Sequence, residues 1–308
     1  MKEIVKLTGT NDKINRSALI SAALLHFSAA AAGFIASKAV VLGNILPFGL
    51  SFLAGSSLTY TPAAAIGVFI GYFIPAVGSG GFRYVAAAFA IVAIKLLLGG
   101  FKKLSSNPVF LSFMTLLASF LTSAVTLSGL NFNFLSALAE SLLAAGGAFF
   151  ICRSFATFKN AAAGLESDEL VSLFVLIAIM MIGINGFRFN GISLGHITAI
   201  AVILTAAKYG GVPSGAICGT ATAFAMSLSG MSGEISVAYA FIGLMAGIFS
   251  SFGKYVQVSV PLIVGLLGSL ISKDPILISQ TVVETALGSA LFLTVPRLSL
   301  IHISEPTR

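Results

Sequence analysis

From Ala18 to Pro296 the chain is one apolar run after another, each close to the length of a membrane helix. About 20 residues are needed to cross a bilayer as a helix, and only helices or closed barrels satisfy their backbone groups in lipid. The runs lack the alternation of ten-residue barrel strands, so the expected class is all-α, a polytopic transmembrane helical bundle. With 57% hydrophobic and 9% charged residues, and a mean hydropathy of +1.03, too little polar surface exists to solvate a globule.

Candidate spans fall at about 18–37, 40–57, 61–78, 84–100, 108–128, 133–152, 169–187, 192–208, 212–229, 236–252, 256–271 and 279–296. The stretch from Gly33 to Gly55 is broken by Lys38, Asn44 and Pro47, so it reads as a span end, a turn and a short second span. Counting 40–57 and 256–271 as re-entrant gives ten spans, and counting them as crossings gives twelve. Either number is even and places both termini on one side.

Charge sets the orientation. Residues 1–17 form a basic tail with Lys2, Lys6, Lys13 and Arg16. If it is cytoplasmic, Lys102, Lys103, Arg153, Lys159, Lys208, Lys254 and Arg297 fall on the same side. Lys38, Arg83, Arg188 and Lys273 fall outside, and Lys95 is left within a span. This eleven-to-four bias follows the positive-inside rule and makes both termini cytoplasmic. The net charge of +7 is thereby explained by topology, with no nucleic-acid partner expected; the partner is the lipid bilayer. The polar segment 153–169, with Glu166, Asp168 and Glu169, is expected as a cytoplasmic loop dividing the membrane domain 18–297 into halves of six candidate spans.

Within the apolar runs, Glu140 and Glu284 stand out. An intramembrane carboxylate costs about 3 kcal/mol to insert, so each is expected to be paired, protonated or functional, with Lys38 and Lys95 as candidate partners. His196 and His26 have no neighbour at metal-ligand spacing; His196 reads as an interhelical hydrogen bond or an interfacial group. Asn44, Asn185 and Asn190 lie near span ends and turns. Small residues four apart, Gly67/Gly71, Gly211/Gly215/Gly219 and Gly243/Gly247, allow close helix approach. They read as intramolecular packing faces, with self-association as the other reading. Cys152 and Cys218 form no CxxC pair. No phosphate loop, nucleophile elbow or HExxH pair is present, and the three aspartates are scattered, so no enzyme activity, catalytic residue, metal site or cofactor is expected in this chain.

Five stretches taken in order resemble the membrane region of the stage II sporulation protein E family. They are GFIASKAVVLGNILPFGLSFLAG, LAESLLAAGGAFF around Glu140, ESDELVSLFVLIAIMMIG, GGVPSGAICGTATAFAMSLSG with AFIGLMAGIFSSFGK, and VVETALGSALFLTVP. The similarity covers about residues 30–296, and its specificity lies in the order and spacing of the five together. Lys38, Glu140, His196 and Glu284 fall where the family pattern also has a basic, an acidic, a histidine and an acidic residue, without an assigned role.

The resemblance implies a membrane anchor for a manganese-dependent PP2C-type serine phosphatase at the asymmetric septum of a spore-forming bacterium. That enzyme would dephosphorylate an anti-anti-sigma factor, freeing the forespore sigma factor, and would contact the tubulin-like division protein. Neither the phosphatase nor its regulatory segment is in the chain. Leu298–Arg308, LSLIHISEPTR, resembles a translated sequencing-library adapter, so the natural protein is expected to continue from about Arg297. The competing expectation is a secondary transporter with Glu140 and Glu284 as ion-coupling carboxylates.

Overall fold

A computed structural model describes residues 2–43, 45–74, 81–126, 133–160, 167–231, 233–271 and 273–295. Asn44, Glu166, Arg297 and the adapter-like tail 298–308, with His302, lie outside these residues. The described chain is an all-α membrane bundle with one two-stranded ribbon. Its helices are α1 (Lys2–Ser37), α2 (Phe48–Gly55), α3 (Thr61–Phe73), α4 (Gly81–Leu97), α5 (Lys102–Ser105), α6 (Pro108–Thr126), α7 (Phe134–Asn160), α8 (Ser167–Asn185), α9 (Leu194–Leu228), α10 (Gly233–Ile248), α11 (Lys254–Ile271) and α12 (Pro275–Thr294). Among the described residues, eight helices are long and apolar enough to cross a membrane, and α3 and α8 are shorter apolar helices.

Several starts are fixed by side-chain caps, which satisfy N–H groups that a helix leaves orphaned. Asn107 accepts from the amides of Val109 and Phe110 ahead of α6. Asn133 does the same for Leu135 and Ser136 at α7. Asp274 accepts from Ile276, with Pro275 opening α12. Inside the helices, serine and threonine hydroxyls donate back to carbonyls one turn earlier, as Thr115 does to Leu111 and Ser141 to Ala137. That keeps these hydroxyls bonded where lipid offers no partner.

The chain divides into two compact units. Unit 1 is Met1–Phe187 with Leu228–Gly230, and unit 2 is Arg188–Ser227 with Met231–Arg308. The division follows α8 and does not fall at 153–169, because α8 packs on α7 and α1. Most of that expected loop is also helix. α7 continues to Asn160, its hydroxyls at Ser154 and Thr157 bonded to Phe150 and Arg153, and α8 begins at Ser167.

In unit 1, α1 and α3 run in the same direction. His26 stacks edge-on against Tyr60, a Cβ on Gly67 would meet Ala30, and one on Gly71 would meet Ser37. The offset stays near 34 residues, which only parallel helices allow. Between them α2 runs the opposite way, since Tyr72 near the end of α3 bonds Leu46 and Leu50 at the start of α2. The run 40–57 is therefore mostly not helical. Only eight residues form α2, about 12 Å long, all of them buried, and the chain leaves and returns on the same side. Pro47 and the positive-φ residues Leu42 and Gly43 account for the broken entry. The second run that left the span count open, 256–271, lies in a complete helix of 18 residues that carries Pro261 within it.

In unit 2, α9 is a helical hairpin folded at Gly211 (φ 64°, ψ −154°). A Cβ on Gly215 would lie 3.0 Å from that of Ala207, whereas eight residues of straight helix span about 12 Å. The two expected spans 192–208 and 212–229 are its arms. Gly211 thus serves the corner and not a packing face. Its backbone region belongs almost only to glycine, so Gly211→Ala is expected to cost about 1–3 kcal/mol, read as a lower unfolding midpoint in detergent.

Candidate functional site

Unit 1 holds a polar cluster around the start of α2. The Tyr72 hydroxyl accepts from the Leu50 amide (3.1 Å) and donates to the Leu46 carbonyl (2.9 Å). Tyr84 stacks on Tyr72 with ring centres 5.1 Å apart, and its hydroxyl accepts from the Leu46 amide (3.0 Å). Arg83 donates to that same hydroxyl at 2.7 Å and lies 3.1 Å from Oε2 of Glu140. Glu140 is 1% exposed. Ser51 completes the seam, its hydroxyl donating to Ala144 of α7 at 2.7 Å.

Glu140 is thus paired with Arg83, and not with Lys38 or Lys95 as expected. Both lysines cap helix C-termini. Lys38 donates to the Ile74 carbonyl at 2.7 Å, just past α3, and burial lowers its pKa from the ordinary lysine value. Lys95, 1% exposed, donates to the carbonyls of Leu53, Ala54 and Ser56 at the end of α2. The carbonyl end of a helix carries partial negative charge, so a cation is favoured there without any carboxylate.

Unit 2 repeats both devices. Nδ1 of His196 is 2.7 Å from Oε2 of Glu284, while Oε1 accepts from the Ser193 amide. The Ser193 hydroxyl in turn caps α9, accepting from Gly195 and His196. This ties α12 to the ribbon Arg188–Phe189/Ile192–Ser193, whose turn residues Asn190 and Gly191 both have positive φ. An Asn-Gly pair is a strong hairpin signal, and it was present in the sequence. Lys208 caps Ser250 at 3.0 Å, Lys254 caps Val295 at 2.6 Å, and buried Gln257 donates to Leu204 at 2.9 Å. Glu284→Gln is expected to weaken unit 2 by about 1–3 kcal/mol. Faster hydrogen exchange at the Ser193 amide would report the loosened ribbon.

The glycine faces hold backbones together. A Cβ on Gly243 would meet the Gly215 carbonyl and lie 2.8 Å from the Gly219 Cα, and one on Gly247 would lie 2.6 Å from the Val212 Cα. Gly67 and Gly71 bring α3 onto α1 in the same way.

Chemically, Glu140 and Glu284 are each paired with a basic side chain, and Lys38, Lys95, Lys208 and Lys254 meet carbonyls. Among the described residues no group of three or more His, Cys, Asp or Glu could hold a metal. The manganese implied by the resemblance therefore has no donor set in them.

The long apolar helices and the internally paired charges define a polytopic α-helical membrane domain. The family model for the SpoIIE N-terminal domain matches residues 2–304, and the chain belongs to that family. It is 25% identical over 288 residues to stage II sporulation protein E of Bacillus subtilis (strain 168), an alignment covering 86% of this chain and 33% of that protein. The chain spans about a third of the length of this relative. No solved structure matches.

Proposed function

We propose that this chain is the membrane-anchoring and assembly domain of a sporulation phosphatase of PP2C type, held at the polar division septum. In this reading the catalytic part, its manganese and its phosphorylated anti-anti-sigma substrate belong to sequence beyond this chain. Contact with the tubulin-like division protein is part of the same proposal. The observation that carries it is the family match along nearly the whole chain. The pairing of Glu140 with Arg83 and of Glu284 with His196 supports a structural bundle over ion-coupled transport.

A topology accompanies this proposal. The α2–α3 hairpin returns the chain to the side it left, so it adds an even number of crossings however deep its tip reaches. Ten others remain, namely α1, α4, α6, α7, α8, both arms of α9, α10, α11 and α12. The total is even, and both termini face the cytoplasm under the positive-inside rule.

The test is localisation. The chain fused to a fluorescent protein, in sporulating cells lacking their own copy of the relative, is expected to concentrate at the asymmetric septum. Uniform labelling of the cell membrane, with the fusion intact, would defeat the proposal.

A further inference from the structure

The C-terminal end of α2 stops inside unit 1, among buried residues, with its last carbonyls unable to continue the helical ladder. Such carbonyls need donors, and inside a membrane bundle water does not supply them. The Nζ of Lys95 lies 2.9 Å from the Leu53 carbonyl, 3.1 Å from that of Ala54 and 2.6 Å from that of Ser56, with the Ser56 hydroxyl at 3.4 Å. An ammonium group has three N–H donors, and three carbonyls face it. The separations to Leu53 and Ala54 are ordinary N–H···O distances, and that to Ser56 is short, as hydrogen bonds from a charged donor are.

Arg83 and Glu140 neutralise each other at the opposite end of α2, and no salt bridge involves Lys95 among the described residues. The counter-charge for Lys95 is the dipole end of α2 itself. Discontinuous helices of transporters use such carbonyl ends to bind free cations.

We propose that the α2 carbonyl end is a primary-ammonium binding site of which Lys95 is the tethered occupant, so that the site is filled from within the chain. This holds α2, and with it the α2–α3 hairpin, against α4. Lys95 here is a positioning residue, and the geometry that defines its role is independent of whether the domain anchors a phosphatase.

The experiment separates occupancy from mere packing. Lys95→Ala removes a fragment equivalent to propylammonium. In detergent, the unfolding midpoint of the variant is expected to fall by about 5 °C or more. Added propylammonium should restore about half of that fall through binding to the folded state. Tetramethylammonium, equally charged but without N–H donors, and sodium at the same ionic strength should restore none. Equal responses to the three salts, or a Lys95→Met variant as stable as the wild type, would overturn the site. If Lys95→Ala does not accumulate, amine-directed labelling of the wild-type protein decides. Lys95 should stay unlabelled until unfolding while exposed Lys103 and Lys273 react, and labelling of Lys95 at their rate would refute the proposal.

Discussion

Arg83→Ala is expected to destabilise unit 1 by about 3–5 kcal/mol, the usual cost of stranding one member of a buried ion pair. Glu140 is 1% exposed and its nearest cationic atom is the Arg83 guanidinium, 3.1 Å away. Removing that group leaves a buried carboxylate beside the Tyr84 hydroxyl, without its cation. The damage extends to α2, because the same guanidinium donates to Tyr84, whose hydroxyl accepts from Leu46 at the helix entry. Arg83→Ala combined with Glu140→Gln should regain much of the loss, since no buried charge is then unpaired. Unfolding midpoints of the wild type, the two single variants and the double variant in one detergent complete the cycle. Purely additive losses would mean that the pair is not coupled and that Glu140 is held by something else.

That partner was not legible in the sequence. Charge counting offered Lys38 and Lys95 for the two carboxylates, because those lysines lay in or beside apolar runs. Arg83 reads as an outer-face topology signal, and its 57 positions from Glu140 leave nothing local to mark the pair. The lysines instead meet carbonyls, and every residue carries a carbonyl, so nothing in the sequence marks those of Leu53, Ala54 and Ser56 as acceptors. Lys38, Lys95, Lys208 and Lys254 each cap a helix or turn end in this way. These four cations therefore have a use in the fold itself.

What was legible was periodic or conformational. The twelve apolar runs all contain helix, because membrane-length hydrophobicity is written locally. The break between 192–208 and 212–229 could be placed, and it coincides with the corner at Gly211, close to Pro213. The direction of α2 could not, since it depends on Tyr72 and Tyr84 reaching back across more than 25 positions. Asn190-Gly191 announced the ribbon, but that signal is easily passed over between two apolar runs as an ordinary loop.

Gly243→Leu is expected to disrupt unit 2 by about 3 kcal/mol, at the upper end of the usual cost of overpacking. The arm of α9 after Gly211 meets α10 closely at glycines on both helices. Gly243 faces the Gly215 carbonyl and the Gly219 backbone, a Cβ on Gly219 would lie 2.6 Å from the Tyr239 carbonyl, and one on Gly247 meets the backbone of Val212. All of these contacts involve main chain, which cannot rotate aside, so a side chain there forces the helices apart. In lipid that separation loses the dispersion contacts that hold helices together in place of a hydrophobic drive. Gly146 provides the control. It also lies inside a helix, α7, but a Cβ there meets nothing within 4 Å, so Gly146→Ala should leave the midpoint unchanged or raise it, through a helix-propensity gain of roughly 0.5–1 kcal/mol. Measured in detergent, a lower midpoint for Gly243→Leu with an unchanged oligomeric state assigns the glycine face to packing within one chain. A change of oligomeric state at an unchanged midpoint would assign it to self-association instead.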